Sequence, residues 1–326
     1  MTERTKTIIR WTVKIGVSAS LMIFLLRKIP SHEIMALVTR ADRGLLLAAT
    51  VLFMVSNIAG WFQWHVLLRA SGVSQEQENT FRFYFIGLFF NNFLPANIGG
   101  DAVKVYDLTR EGESPYRVIA VTLLDRLLGV FSLCLLACFA NLVLIRGAGA
   151  GMHHLLYLGV FVACMIPALG FYFFRPLGNW LRRSVLRMRF LSLDSRMTAI
   201  IDQLSPFRGR RGLVTRLALF SMLIQAMRVL THVLVAMAIG AQMTPLLLTQ
   251  FFVFIPILSL AMIPPITING LGIREGLGIL LFSEAGILAA DAFVIEFGTY
   301  IISVAVSLLG FAFFLARRNR SPRRPG

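Results

Sequence analysis

Long apolar runs alternate with short polar or basic connectors along this chain. An α-helix rises 1.5 Å per residue, so about 20 apolar residues cross a bilayer core of ~30 Å. Six runs are long enough to predict full membrane-spanning helices: Ile8–Leu26, Gly44–Leu68, Tyr116–Ile145, Leu155–Phe174, Leu213–Gly240 and Ala289–Leu315. The pattern therefore predicts an all-α polytopic membrane protein, with residues 1–326 forming a single integral membrane domain.

Two further apolar runs are interrupted before they can cross a bilayer. Phe81–Phe93 stops at a stretch rich in asparagine, proline and glycine, and Leu246–Pro264 ends in a pair of prolines. Proline removes a backbone donor, and non-helical backbone at membrane depth is tolerated only against protein or a water-filled cavity. We expect two broken or re-entrant helices. An ordinary span that ends at Pro95 is the alternative for the first.

The same order of elements occurs twice, in residues 44–145 and in residues 213–315. Each half contains a span, an interrupted apolar run, a glycine-rich break followed by charges, and a second span. If the two halves have opposite orientations, their broken segments enter from opposite sides and meet near the midplane of the bilayer. The sequence therefore predicts an inverted repeat.

Basic segments set the expected orientation. Residues 175–212 and the tail 316–326 are rich in arginine, which favours the cytoplasmic side. Counting the spans from these loops puts both termini in the cytoplasm, in the cell (cytoplasmic or inner) membrane. The connector Arg27–Arg43 then lies outside although it is basic, which is the weak point of this topology.

Composition supports a membrane protein. The chain is 57% hydrophobic and 15% charged, whereas a soluble domain carries roughly 25% charged residues. The net charge is +16, which in a soluble protein would suggest nucleic acid. Here the arginines lie between and after apolar runs, and no nucleic-acid-binding motif is recognisable, so we expect anionic lipid and no nucleic acid as partner. The three cysteines lie in apolar runs without metal-ligand spacing, and we expect neither a metal site nor a cofactor.

The candidate site residues surround the two breaks. In a membrane protein, broken apolar segments in corresponding halves are the best sequence pointer to a binding site, and charges inside spans usually face the protein interior. The candidates are Asn91, Asn92, Pro95, Gly99, Gly100, Asp101 and Lys104 at the first break, Asn269, Gly270, Gly272, Arg274 and Glu275 at the second, and Asp125, Arg126, Arg228 and Glu296 in the spans.

These candidates suit an anionic headgroup, because cations and exposed backbone amides bind phosphate. The expected cations are Lys104, Arg126, Arg228 and Arg274, and the carboxylates are their partners or accept protons.

A purely structural interpretation of the same residues is the alternative. The glycines can permit close helix packing, the neighbours Asp125 and Arg126 can form a buried pair, and the charges on 101–107 can pair along one helix face.

Three motifs together resemble one family: FFNNFLPANIGGD (Phe89–Asp101), LLDRLLG (Leu123–Gly129) and INGLGIREG (Ile268–Gly276). They are similar to the flippase-like membrane domain of lysylphosphatidylglycerol synthases, and the resemblance covers nearly the whole chain. In the fused enzymes a soluble aminoacyltransferase domain follows. The resemblance implies a free-standing member without that domain, which handles lipid. Some free-standing members are linked with polyprenyl-phosphate sugar pathways.

The leading hypothesis is a lipid transporter or flippase that takes a phospholipid or polyprenyl-phosphate headgroup into a polar cavity between the broken helices. No Gly-x-x-x-x-Gly-Lys-Ser/Thr loop is present, so we do not expect this chain to pump with ATP. One alternative is an accessory membrane subunit of a glycosyltransferase or lipid synthase. A less favoured one is an intramembrane lipid-linked transferase, in which Asp101, Asp125 or Glu275 would be catalytic; no strong catalytic motif supports it.

Overall fold

The computed structural model describes residues 16, 18–93, 99–147, 152–173, 194–264, 267 and 269–318. These residues form helices and connecting turns, with no strand among them. Several predictions concern residues outside these ranges: the first half of the span Ile8–Leu26, Pro95 in the first break, much of the basic loop 175–212, and most of the tail 316–326.

The described residues up to 173 form seven helices. They are α1 (18–28), α2 (Ser31–Arg40), α3 (Arg43–Ala70), α4 (Gln77–Phe93), α5 (Gly99–Arg110), α6 (Pro115–Gly147) and α7 (Met152–Phe173). Asp42 begins α3, because its carboxylate accepts from the backbone N–H groups of Gly44 and Leu45 at 2.7 and 3.0 Å. Helix α2 lies within the connector Arg27–Arg43, where the sequence predicted only a polar link.

The second part of the described chain contains six helices. They are α8 (Asp194–Gln203), α9 (Ser205–Arg208), α10 (Arg211–Ala238), α11 (Pro245–Ala261), α12 (Ile273–Ser283) and α13 (Ala289–Arg318). Thr244 caps α11 by accepting from Leu247 N at 3.1 Å, with proline in the first turn. Gly272 precedes α12 with φ 84°, a left-handed conformation that glycine adopts without steric cost.

Four of these helices, α3, α6, α10 and α13, are long and apolar enough to cross a membrane. They coincide with four of the six predicted spans, and α7 corresponds to a fifth, Leu155–Phe174. The interrupted runs form α4 and α11, each of 17 residues. At 1.5 Å per residue such a helix is ~25 Å long, shorter than a bilayer core of ~30 Å. The all-helical polytopic architecture predicted from the sequence is confirmed.

The two halves contain the same series of helices. In the first half α3 to α6 have 28, 17, 12 and 33 residues. In the second half α10 to α13 have 28, 17, 11 and 30 residues. In both halves a long helix is followed by an interrupted helix, a break, a short helix and a second long helix.

Reciprocal contacts join the halves. Asp42 N, at the start of α3, donates to the carbonyl of Ala238 at the end of α10 at 2.8 Å. Arg210 Nη1, at the start of α10, donates to the carbonyl of Ala70 at the end of α3 at 3.0 Å. The two helices are therefore antiparallel, as an inverted repeat requires.

The interrupted helices pack across the boundary between the halves. Helix α4 packs on α13, and α11 packs on α6. Gly310 of α13 lies so close to the backbone of Phe85 in α4 that a Cβ there would overlap the Phe85 carbonyl oxygen. This close packing holds the middle of α4 against α13 of the other half.

Candidate functional site

The two breaks meet at a pair of asparagines. Asn269 Nδ2, in the turns before α12, donates to Asn92 Oδ1, in the last turn of α4, at 2.7 Å. The Ser303 hydroxyl of α13 donates to the same oxygen at 3.4 Å, and Asn92 Nδ2 donates to the Ser303 carbonyl at 3.4 Å. Two residues that the sequence assigned to separate halves therefore touch.

Asp101 in the first turn of α5 organises the first charged group. Lys104 Nζ lies 2.7 Å from one of its oxygens and Arg126 Nε lies 2.5 Å from the other. Lys104 is only 6% exposed and lies between the rings of Trp64 and Tyr84, 5.1 Å from each centroid. Its ammonium therefore has a carboxylate partner, as expected for these charges, and two aromatic faces inside the protein. A role of Lys104 in headgroup binding stays a prediction.

The start of α5 is fixed against α4. Gly100 N donates to Asn91 Oδ1 at 2.8 Å, and a Cβ on Gly100 would overlap the carbonyl oxygen of Gly87. Gly99 is the first residue of α5. Close helix packing therefore accounts for glycine at position 100. The Asn91 side chain stabilises this packing by accepting a hydrogen bond from the first turn of α5.

The neighbours Asp125 and Arg126 on α6 have different partners. Gln63 Nε2 of α3 donates to Asp125 Oδ1 at 2.8 Å, whereas Arg126 contacts Asp101. Consecutive helical residues point about 100° apart, so the two side chains reach different neighbours. The described contacts therefore join Asp125 to α3 and Arg126 to α5.

Arg228 on α10 completes the first group. It lies near Asp125 and Tyr84, and a Cβ on Gly60 would be 3.6 Å from its Nη2. Arg228 is half-buried, yet in the described part of the chain no carboxylate oxygen lies within 4.0 Å of its guanidinium.

The first group contains more positive than negative charge. Its three cations face two carboxylates, which leaves a surplus of one positive charge. The members are Lys104, Arg126, Arg228, Asp101 and Asp125.

The second charged group is buried between α12 and α13. Glu275 and Glu296 are 0% exposed, and Arg274 Nε lies 3.7 Å from Glu275 Oε1 and 3.9 Å from Glu296 Oε2. The Arg274 guanidinium lies over the ring of Tyr300 at 4.8 Å. Glu275 Oε2 accepts from Gly272 N at 2.7 Å, which ties this carboxylate to the second break.

Residues 11–316 match the family model of the lysylphosphatidylglycerol synthase TM region. The chain belongs to this family. The family predicted from the three motifs is therefore confirmed over nearly the whole chain.

Two relatives show the range of proteins in which similar sequences occur. The UPF0104 membrane protein PH1989 of Pyrococcus horikoshii is 28% identical over 117 residues, 35% of each chain. The glycosyltransferase AglD of Haloferax volcanii is 24% identical over 346 residues, 95% of this chain and 55% of AglD. This chain therefore spans about half the length of AglD, and the match to PH1989 covers about a third of it.

The two halves of this family member carry equivalent pairs of carboxylates. In each half, one carboxylate lies in the first turn of the short helix, and a second lies in the early turns of the last long helix, where it meets a polar side chain of the first long helix. These residues are Asp101, Asp125 and Gln63 in the first half and Glu275, Glu296 and His232 in the second.

Sequence reasoning missed several residues of these groups. Gln63 and His232 could have been found, because a polar side chain inside an apolar span usually faces the protein interior. Trp64, Tyr84 and Tyr300 gave no such signal, since aromatic residues are ordinary in spans. Gly270 precedes α12 with φ 75°, a conformation that suits glycine in the turn carrying Asn269.

A cavity of about 480 Å³ lies away from both charged groups, between α4, α5 and α13. Its lining includes Phe90, Tyr106 and Phe314, together with Asp107 and Arg317, which form an ion pair. Burial raises the pKa of the Asp107 carboxyl above its ordinary value, and the neighbouring Arg317 opposes this rise. Within the described residues, no three His, Cys, Asp or Glu side chains are grouped to hold a metal ion.

Proposed function

We propose that this protein binds an anionic lipid headgroup at Arg228 and carries the lipid between the two leaflets. The lipid class is a phospholipid or a polyprenyl phosphate. The observation that carries the proposal is a half-buried guanidinium without a carboxylate partner among the described residues, in a group with one surplus positive charge.

The energetics favour an anionic ligand at this position. Arg228 is half-buried, so its guanidinium loses part of its hydration, and attraction to an opposite charge offsets that loss. Guanidinium binds phosphate through two parallel N–H···O bonds, which makes Arg228 better suited to a phosphate than to a neutral headgroup. Arg126 is 44% exposed at its side chain and supplies a second cation in the same group.

The paired halves support transport as well as binding. In transporters built from inverted repeats, the substrate site lies between the repeats, and one repeat moves against the other. The Asn92–Asn269 hydrogen bond joins the two halves at their breaks. A movement of one half against the other would therefore change this contact. We propose that α4 and α11 enter the bilayer from opposite sides as re-entrant helices, in a cell membrane with both termini cytoplasmic.

The experiment uses proteoliposomes that contain tail-labelled fluorescent lipids and a membrane-impermeant quencher. We expect the protein to increase the fraction of labelled phosphatidylglycerol or polyprenyl phosphate that reaches the quencher, and to have less effect on phosphatidylcholine. Equal rates in liposomes with and without protein, for all three lipids, would refute transport.

The second candidate function is that of an accessory membrane subunit of a glycosyltransferase. Its support is the alignment of 95% of this chain with the glycosyltransferase AglD. In this case the protein would support a partner enzyme that acts on a lipid-linked sugar. Arg228→Gln would then leave association with that enzyme unchanged, whereas the transport proposal requires lipid movement to fall.

A further inference from the structure

The second charged group does not balance its charges as it stands. Arg274 contributes one positive charge, Glu275 and Glu296 contribute two negative charges when ionised, and a neutral His232 contributes none. The group would then hold one surplus negative charge at two carboxylates that have no solvent exposure. A surplus charge in such a place is costly unless something neutralises it.

The hydrogen bonding of His232 shows where a proton is missing. Its Nδ1 lies 3.0 Å from the backbone carbonyl oxygen of Arg228, one turn earlier on α10. A carbonyl oxygen only accepts, so Nδ1 carries the hydrogen. In a neutral imidazole Nε2 is then an acceptor, and it faces Oε2 of Glu296 at 3.7 Å. Two acceptors therefore face each other, and a proton between them turns a repulsive contact into an attractive one.

Unfilled hydrogen-bonding atoms surround the same point. Neither carboxylate oxygen of Glu296 has a hydrogen-bond partner among the described residues, and the same holds for Nε and Nη2 of Arg274. The Arg274 side chain is 90% buried, since 10% of it is exposed, and it points into the group. The separations of 3.7 to 3.9 Å are too long for direct hydrogen bonds. The second charged group is therefore buried and polar, and several of its atoms lack hydrogen-bond partners among the described residues.

We propose that His232 and Glu296 form a site that binds one proton. The proton resides on Nε2 of His232 or on Oε2 of Glu296, and in either form the four-residue group becomes neutral. The charged and titratable groups facing it are Arg274 and Glu275 from α12 and Tyr300 from α13 itself, with Arg228 one turn away on α10.

This site goes beyond the proposed function and does not depend on it. The residue whose carbonyl holds the His232 ring is Arg228, whose guanidinium is the proposed headgroup ligand. The proton site and the headgroup site therefore share one turn of α10. The proton can nevertheless be observed on purified protein, in the absence of any lipid movement.

The test is infrared difference spectroscopy between neutral and alkaline buffer. We expect the wild-type protein to lose either the C=O stretch of a carboxylic acid or the ring mode of an imidazolium. Glu296→Gln should abolish this band, because the amide can donate to a neutral Nε2. Glu33→Gln changes an exposed carboxylate on α2 and should leave the band in place. A band that persists in Glu296→Gln would overturn the proposal, as would its absence from the wild-type spectrum.

A second variant keeps the test decisive if Glu296→Gln does not fold. His232→Gln removes the imidazole but leaves the surplus negative charge of the two carboxylates, so an imidazolium band should be lost and the C=O stretch of a carboxylic acid should persist or appear; the absence of both bands would contradict a proton at this site. Sodium added at constant pH distinguishes a metal cation from a proton. We expect no effect of sodium on the wild-type band, and a sodium-dependent loss of the band would show that a metal cation occupies the site instead.

Discussion

The contact between Asn92 and Asn269 predicts an energetic coupling between the two halves. The perturbations are Asn92→Ala, Asn269→Gly and the double variant. Glycine is the suitable replacement at 269 because this residue has φ 47°, where alanine would add strain of roughly 1 kcal/mol.

The magnitude follows from the bond and from its burial. A hydrogen bond between neutral groups contributes about 0.5–1.5 kcal/mol net, and a buried partner left without one costs about 1–3 kcal/mol. Asn92 is 4% exposed and also has two contacts of 3.4 Å with Ser303. We therefore expect a free energy of unfolding lower by about 2 kcal/mol in Asn92→Ala and by about 1–2 kcal/mol in Asn269→Gly. The double variant should lose about 1 kcal/mol less than the sum, because the shared bond is removed only once.

The assay is denaturant-induced unfolding in detergent micelles, followed by far-ultraviolet circular dichroism. Asn57→Ala provides the control, since the Asn57 amide donates to the Phe53 carbonyl within its own helix at 2.8 Å. Asn57→Ala and Asn269→Gly should be additive within about 0.5 kcal/mol. Equal additivity for Asn92 and Asn269 would refute the reasoning, because it would mean that the two breaks are not in contact in the folded protein.

Three further changes test the packing and the electrostatics. Gly100→Ala should destabilise the protein by about 1–3 kcal/mol in thermal unfolding, because its Cβ overlaps the Gly87 carbonyl oxygen; an unchanged melting temperature would show that the helices are farther apart. Gln63→Leu should cost about 1.5–3 kcal/mol in chemical unfolding, because it removes a hydrogen bond to the Asp125 carboxylate; a more stable variant would contradict that bond. Burial raises the pKa of Asp107, so its stabilising contribution is present below the ordinary value of 3.8 and is lost as pH rises through the folded-state pKa. Asp107→Asn should lack this pH dependence, and identical pH profiles for variant and wild type would contradict it.

Hydropathy was enough to predict most of the long helices. The spans Gly44–Leu68 and Leu213–Gly240 became α3 and α10, because apolar side chains facing lipid or protein and saturated backbone hydrogen bonds leave a helix as the favoured structure. The two breaks in the apolar runs were also predictable from the sequence, because asparagine, glycine and proline disfavour a continuous helix at the positions where they occur. Helix α2 was missed, because its mixed and partly charged sequence resembles an ordinary connector.

The pairing of charges could not be predicted in the same way. A run of apolar residues fixes the length of a helix but not its rotation, and rotation decides which neighbour a side chain meets. The spacing on α5 suggested that Lys104 could pair with Asp101 or Asp107; the structure gives it Asp101, while Asp107 pairs with Arg317 at the far end of the chain. The surroundings of Arg228 depend in the same way on α3, α4 and α6, three helices distant in sequence.

The most direct test of the account is lipid movement by Arg228→Gln in proteoliposomes. Arg82→Gln is the matched control, because Arg82 forms an exposed pair with Glu78 on its own helix and lies outside both charged groups. The account predicts that Arg228→Gln strongly reduces movement of phosphatidylglycerol or polyprenyl phosphate, whereas Arg82→Gln moves lipid at the wild-type rate. Wild-type movement by a folded Arg228→Gln variant would contradict the claim that this guanidinium holds the headgroup.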